Sequence, residues 1–295
     1  MPALLAAACT RTAPTPARYV VGEPYQLGGV WSYPREDFAL TGTGLAAVAA
    51  DAGAGRRTAN GETYDPGALT AAHRTLQLPA ILQVTNLETG LQIELRVNDR
   101  GPANPARVLE LSRRAAELLG IRPGGTAQIR LAVLGEPSRA LAAGLPQPAG
   151  ARLEIAAAPV AGVTREDLAP PPGASQAARP REARALPGAM AGRVETSAAA
   201  APPARMAERV TRTPPAPGRL YIEAATFSRR DAAERQAGRL AGLGARVEQT
   251  GGGGRGSAAP SYRVRLGPFT SVAEADRALE GSLRAGVSEA RILVD

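Results

Sequence analysis

The stretch RRTANGETYDPGALTAAH, residues 56–73, and the shorter RVNDRGP, residues 96–102, decide how this chain is read. Together they hold Glu62, the only histidine of the protein, His73, and Asp99. Each carboxylate has Gly or Asn close by, residue types that let a backbone turn sharply. The spacing predicts Glu62 on a turn after Asn60-Gly61 and Asp99 on the turn that ends a strand over Gln92 to Asn98. Acid–base chemistry near neutral pH needs a carboxylic acid that keeps its proton, which burial or a neighbouring like charge supplies. Glu62 and Asp99 suit such a pair across the mouth of a barrel, with His73 placed to orient one of them. The same motifs are also ordinary turn chemistry, and a lone histidine is often structural. Residue type and spacing therefore leave catalysis and turn formation both open.

Outward from these blocks, short apolar runs alternate with turn residues from Thr43 to Leu134. Ala80 to Leu87, Leu91 to Asn98 and Thr126 to Leu134 read as strands, the first two joined through Glu88-Thr89-Gly90 as a hairpin. One short helix fits, with Ser112 as N-cap, Ala115, Ala116, Leu118 and Leu119 on its apolar face and Gly120 at its stop. The expectation is a small β-barrel over residues 43–137 with little helix. Before it, residues 19–42 carry Tyr25, Trp31, Tyr33 and Phe38 and read as an ordered lead-in. Residues 138–217 are rich in Ala, Pro and Arg and read as a disordered linker. Residues 218–295 repeat a strand–helix–strand unit: Leu220 to Phe227, Asp231 to Leu243 and Ala245 to Gln249, then Tyr262 to Leu266, Val272 to Leu283 and Ala290 to Val294. Two such units predict a ferredoxin-like α+β domain. The loop Gly251 to Ala259 between them is expected to be mobile.

Composition sets further bounds. With 33 glycines, 26 prolines and 3% aromatics, one large core is disfavoured and two small domains fit better. The net charge of +8 comes from arginine alone, because the sequence has no lysine, and it is spread evenly along the chain. That distribution does not build the concentrated basic face of a nucleic-acid binder, so no nucleic-acid partner is expected. The single cysteine, Cys9, allows no internal disulfide. It follows Leu4-Leu5-Ala6-Ala7-Ala8, so residues 1–18 read as a lipoprotein-like N-terminus and tether, with Cys9 as the lipidated residue anchoring the chain to a membrane. No metal-ligand spacing and no P-loop lysine occur, so no cofactor is expected.

The motifs then acquire a family. Thr58 to Asp65 (TANGETYD), Leu69 to His73 (LTAAH), Val84 to Leu87 (VTNL) and Arg96 to Pro102 (RVNDRGP) resemble, in order and spacing, the rare lipoprotein A (RlpA-like) family. That resemblance covers about residues 43–134 and implies a double-psi β-barrel. It also implies catalytic roles for Glu62 and Asp99, with His73 in support. Tyr221 to Ser228 (YIEAATFS) and Tyr262 to Phe269 (YRVRLGPF) resemble the signature strands of the SPOR domain, which binds glycan stripped of stem peptides. Alternation turns Ile222, Ala224, Tyr262, Val264 and Leu266 toward the helices and Tyr221, Glu223, Arg263 and Arg265 outward. Glu223 stands where SPOR domains commonly have glutamine.

The resemblance implies an endolytic lytic transglycosylase of the bacterial envelope. It would cut the MurNAc–GlcNAc β-1,4 bond of denuded peptidoglycan at the division septum and leave a 1,6-anhydro end. Asp99 would be the general acid/base and Glu62 the stabiliser of positive charge, with those roles exchangeable. Asn60, Asn98 and Arg100 would orient groups or touch substrate. Asp99→Asn and Glu62→Gln are expected to lower activity while leaving folding intact. The family's aromatic stretch is replaced here by Ala47-Val48-Ala49-Ala50 and Gly53-Ala54-Gly55, and Ala103 replaces a further aromatic. These departures favour the alternative of a non-catalytic peptidoglycan-binding protein. A scaffold that recruits division-machinery proteins is the third possibility.

Overall fold

The computed structural model describes residues 17–146, 205–250 and 260–295. Cys9, most of the expected linker and the loop 251–259 lie outside the described residues.

Eight strands and two α-helices form the first part of the described residues: β1 Tyr25–Leu27, β2 Val30–Ser32, β3 Thr41–Val48, β4 Thr70–Ala72, β5 Ala80–Asn86, β6 Leu91–Asp99, β7 Leu109–Leu111, α1 Arg113–Leu118, β8 Thr126–Val133 and α2 Gly135–Ala143. β1 and β2 make a separate hairpin. The other six pair in the order β4-β7-β3-β8-β5-β6, and β4–β6 pairing closes the ring. Two parallel pairs, β3–β7 and β4–β6, sit among antiparallel ones, as a double-psi barrel requires. Leu82, Val84, Leu95, Val97, Leu109, Leu111, Ile129 and Leu131 fill it and are at most 2% exposed. Close packing makes any of them costly to truncate, by about 2–5 kcal/mol for Leu→Ala.

Ser112 caps α1 by accepting from the Ala115 amide, and Gly120 takes the left-handed conformation, φ +72°, that ends such a helix. The span 138–217 departs from the linker expectation at both ends. α2 continues to Ala143 and β9, Val210–Arg212, pairs antiparallel with β6 from Leu91 to Ile93. Pro137 in the first turn of α2 explains why a Pro-marked, Ala-rich run conceals a helix: there the missing amide would have had no partner anyway.

The C-terminal part contains β10 Leu220–Phe227, α3 Arg230–Arg239, β11 Arg246–Thr250, β12 Ser261–Phe269, α4 Val272–Arg284 and β13 Arg291–Val294. Its sheet order β11-β12-β10-β13 with two crossing helices is ferredoxin-like. Ile222, Ala224, Val264 and Leu266 are buried against Ala233, Leu240, Ala275 and Leu279 of the helical layer. Two irregularities in β10–β12 pairing, around Tyr221 and Ala224, shift the simple alternation.

The two parts touch. The Thr43 hydroxyl donates to the Val294 carbonyl and accepts from the Val294 amide. Gln128 makes a reciprocal pair with Gly218, and Arg107 binds Asp276 through both nitrogens at 2.7 and 3.0 Å. Leu45, Leu87 and Ala106 are buried in the same cluster as the C-terminal core.

Candidate active site

The turn before Glu62 is built by its own side chains. Asn60 Oδ1 accepts from the Thr58 hydroxyl and from the Glu62 amide, and Gly61 supplies φ +91°. Glu62 is then held on both oxygens. Oε1 accepts from Asn60 Nδ2 at 3.0 Å and Arg96 Nη1 at 3.2 Å, and Oε2 from Asn98 Nδ2 at 2.8 Å. The Glu62–Arg96 ion pair is only 7% exposed on either side chain. Glu62 is therefore a locked, charge-paired group, and Asn60 and Asn98 position it from below.

Asp99 ends β6 beside a register shift in the β4–β6 pairing. Its Oδ1 accepts from the Ala59 amide at 2.9 Å and the Arg100 amide at 2.8 Å. Oδ2 lies 2.6 Å from Nη2 of the half-exposed Arg56, yet out of line for a hydrogen bond, which leaves that oxygen buried without a hydrogen-bond partner. Ala59 on the Glu62 turn thus ties the two carboxylates into one constellation.

His73 takes a different place from the one expected. Burial, aided by the positive charges of Arg100, Arg74 and Arg35, lowers its pKa to about 4, so the ring is neutral. Nδ1 accepts from the Thr75 and Leu76 amides, and the link to Asp99 runs through backbone, His73 N–H to Asp99 carbonyl at 3.1 Å. The imidazole shapes the loop through its Nδ1. Arg100 likewise is a clamp, donating to the carbonyls of Val21, His73 and Leu76.

A small recess opens on Asp99, Asn98, Arg56, Tyr64, Ala49 and Glu110. Glu110, on β7, was not among the sequence candidates. Leu109 and Leu111 face the core, so alternation turns Glu110 the other way, and a Cβ added to Gly101 would come within 3.2 Å of Glu110 Oε2. No hydrogen bond or ion pair reaches this side chain among the described residues. Burial raises its pKa above the usual carboxylate range; Arg56 opposes that and the Asp99 charge adds to it. The Leu-Glu-Leu alternation was the available signal, but three residues are too few to establish a period. A wider cleft lined by Asn86, Glu88 and Gly120 to Ala127 is separate and lacks these carboxylates.

In the C-terminal sheet the four outward residues are not equally open. Glu223 is 8% exposed, held by Arg291 at 2.6 Å and Arg263 at 3.5 Å. Arg265 lies over the Tyr221 ring at 4.1 Å and pairs with Glu248 and Asp295. Arg263 and Arg291 are the accessible cations of this network, and Arg291 was missed because it sits on a separate strand, opposite Glu223 in register.

A family model described as lytic transglycolase matches residues 43–131, and one described as SPOR domain matches residues 216–292. The endolytic peptidoglycan transglycosylase RlpA of Pseudomonas aeruginosa strain UCBPP-PA14 is 35% identical over 262 residues, covering 88% of this chain and 72% of that protein. The chain belongs to the RlpA family. Its RlpA relative from Yersinia pestis is 54% identical over 78 residues, 26% of this chain and 22% of that one. The crystal structure of the RlpA SPOR domain from P. aeruginosa is 27% identical, covers 26% of this chain and 99% of that one, and gives a TM-score of 0.22.

Proposed function

We propose that this RlpA-family chain is an endolytic lytic transglycosylase of denuded peptidoglycan, working in the recess that holds Asp99 and Glu110. The observation that carries this reading is the unequal state of its carboxyls. Glu62 is bound to Arg96 and two amides, Asp99 keeps one oxygen without a hydrogen bond, and Glu110 is drawn toward its protonated form. The sequence expectation gave both proton transfers to Asp99; two carboxyls in one recess divide them.

In this mechanism the Glu110 O–H protonates the glycosidic oxygen as the bond to muramyl C1 breaks. The muramyl O6 hydroxyl attacks C1 and its proton passes to Asp99 Oδ2, closing the 1,6-anhydro ring. The recess then returns to its starting state by exchanging protons with solvent. The fixed charge of Glu62 helps to balance the positive charge that develops on the ring. His73, Asn60, Asn98 and Arg100 are positioning residues. Arg263 and Arg291, on the sheet that also carries Tyr221, Glu223 and Arg265, gather the glycan strand.

The family reading places the chain in the bacterial cell envelope with peptidoglycan as partner. A finer location, lipid-anchored through Cys9 in the outer membrane and concentrated at the septum beside division-machinery proteins, rests on the Leu-Leu-Ala-Ala-Ala-Cys segment and the SPOR match. Fatty-acid labelling that persists in Cys9→Ser would refute the anchor.

The test of the activity is incubation of the full chain with amidase-treated, denuded sacculi and mass analysis of the released glycan. Anhydromuramyl ends are expected. Reducing ends would mean that water is the nucleophile. No products alongside retained sacculus binding would make this a non-catalytic glycan-binding protein.

A further inference from the structure

The replacement of aromatics by alanine near the recess leaves open what holds the sugar chain in register. The β1–β2 hairpin supplies a surface for it. Trp31 and Tyr33 are 54% and 59% exposed, the most exposed large apolar side chains among the described residues. Single exposed apolar residues are normal. Two rings at positions i and i+2 are a different matter, because alternation puts them on the same side of an extended chain. Between them Ser32 is 4% exposed and accepts from Arg74 Nη1 at 3.0 Å on the opposite side. Gln26, opposite Trp31 in register and exposed, adds an amide to the outer face.

The hairpin that carries this face is fixed next to the catalytic loop. The Tyr25 hydroxyl donates to the Arg74 carbonyl, and the Arg74 guanidinium donates to Leu27 on the hairpin and at 3.0 Å to the Ala103 carbonyl. Gly28, at φ +60°, rests so closely on Ala103 that an added Cβ would stand 2.0 Å from its carbonyl oxygen. Ala103 is four residues beyond Asp99, at most about 14 Å along an extended chain. A single strand bound at Asp99 can therefore reach the hairpin.

We propose that Trp31 and Tyr33 form a sugar-stacking subsite for the glycan strand whose scissile bond occupies the Asp99–Glu110 recess. The C–H faces of pyranose rings lose water against the two aromatic faces, while Gln26 offers hydrogen bonds to ring hydroxyls. The strand is thereby held beside a recess whose lining includes the methyl of Ala49 and the single ring of Tyr64. This rests on the reading of denuded glycan as substrate.

Trp31 is the only tryptophan of the protein, so its fluorescence reports directly on this face. The full chain carrying Asp99→Asn, to prevent turnover, is titrated with soluble denuded glycan strands released from amidase-treated sacculi. A saturable change in Trp31 emission is expected. In Tyr33→Ala its midpoint moves about tenfold to higher strand concentration, whereas Arg239→Ala, an exposed position at the end of α3, leaves it unchanged. Silent emission at concentrations where sedimentation shows the protein bound would overturn the subsite, as would an unmoved midpoint in Tyr33→Ala. The activity is judged separately on wild-type protein. Anhydro ends with silent emission refute the subsite alone, and responsive emission without anhydro ends refutes the activity alone.

Discussion

At the scale of single residues, the site is a study in how differently three carboxyls can be treated by one fold. Glu62 accepts hydrogen bonds on both oxygens, Asp99 accepts them on one while the other faces Arg56 without a hydrogen bond, and Glu110 accepts none among the described residues. If Glu110 is the acid, activity needs its proton. It is present below the raised pKa and lost as pH climbs through it. Glu110→Gln should then lower the rate of anhydro-end formation about 10²- to 10⁴-fold and remove that limb of the pH–rate profile. A variant with the wild-type profile would take the role from Glu110. His73 gives a second pH signature, in stability. Its folded pKa of about 4 lies below the ordinary 6.5, so the unfolded chain binds the proton more readily. The stability this gives is complete above 6.5 and is lost as pH falls through 4, about 3 kcal/mol in all. Unfolding free energies measured at pH 7 and pH 4 should differ by that much more in wild type than in His73→Asn; equal differences would contradict it.

At the scale of elements, the Glu62 turn and the end of β6 stand or fall together. Gln at position 62 keeps hydrogen bonds to Asn98 but leaves the Arg96 charge buried opposite a neutral amide. Glu62→Gln should therefore cost roughly 3–5 kcal/mol, read from urea unfolding, contrary to the sequence expectation of an intact fold. An unchanged midpoint would show that Arg96 finds its compensation elsewhere. What the sequence revealed of these elements follows their length and pattern. β5, β6 and β8 are long, rich in Val, Ile and Leu, and were legible within a residue or two. β4 and β7 are three residues each, too short to show a period of two, and β3 is diluted by Gly and Ala of weak strand preference. β9 lies in a Pro-rich run and is a strand only because β6 offers it an edge. Glu62 and Asp99 were legible because turn residues mark them. Glu110 was hidden in a three-residue strand, and the ring of His73, expected to orient a carboxylate, turns its Nδ1 to two backbone amides.

At the scale of the whole molecule, the barrel and the C-terminal sheet share contacts that neither part could satisfy alone. Arg107 is 9% exposed as a side chain and its partner Asp276 comes from α4. Asp276→Ala in the full chain should lower stability by about 2 kcal/mol, visible as a lower unfolding temperature, because a charged, hydrogen-bonded partner is lost. An unchanged temperature would mean that this contact contributes nothing in solution. Joined in this way, the cationic network around Arg263 and Arg291 and the recess at Asp99 can act on one glycan strand, which suits an enzyme that cuts within chains.

The most direct test of that account is the rate at which Asp99→Asn releases anhydromuramyl ends from denuded sacculi, set beside wild type with the unfolding midpoints of both. Loss of the proton acceptor predicts a rate at least a hundredfold lower in a protein that remains folded. An equal rate in the two folded proteins would contradict the assignment of the chemistry to this recess.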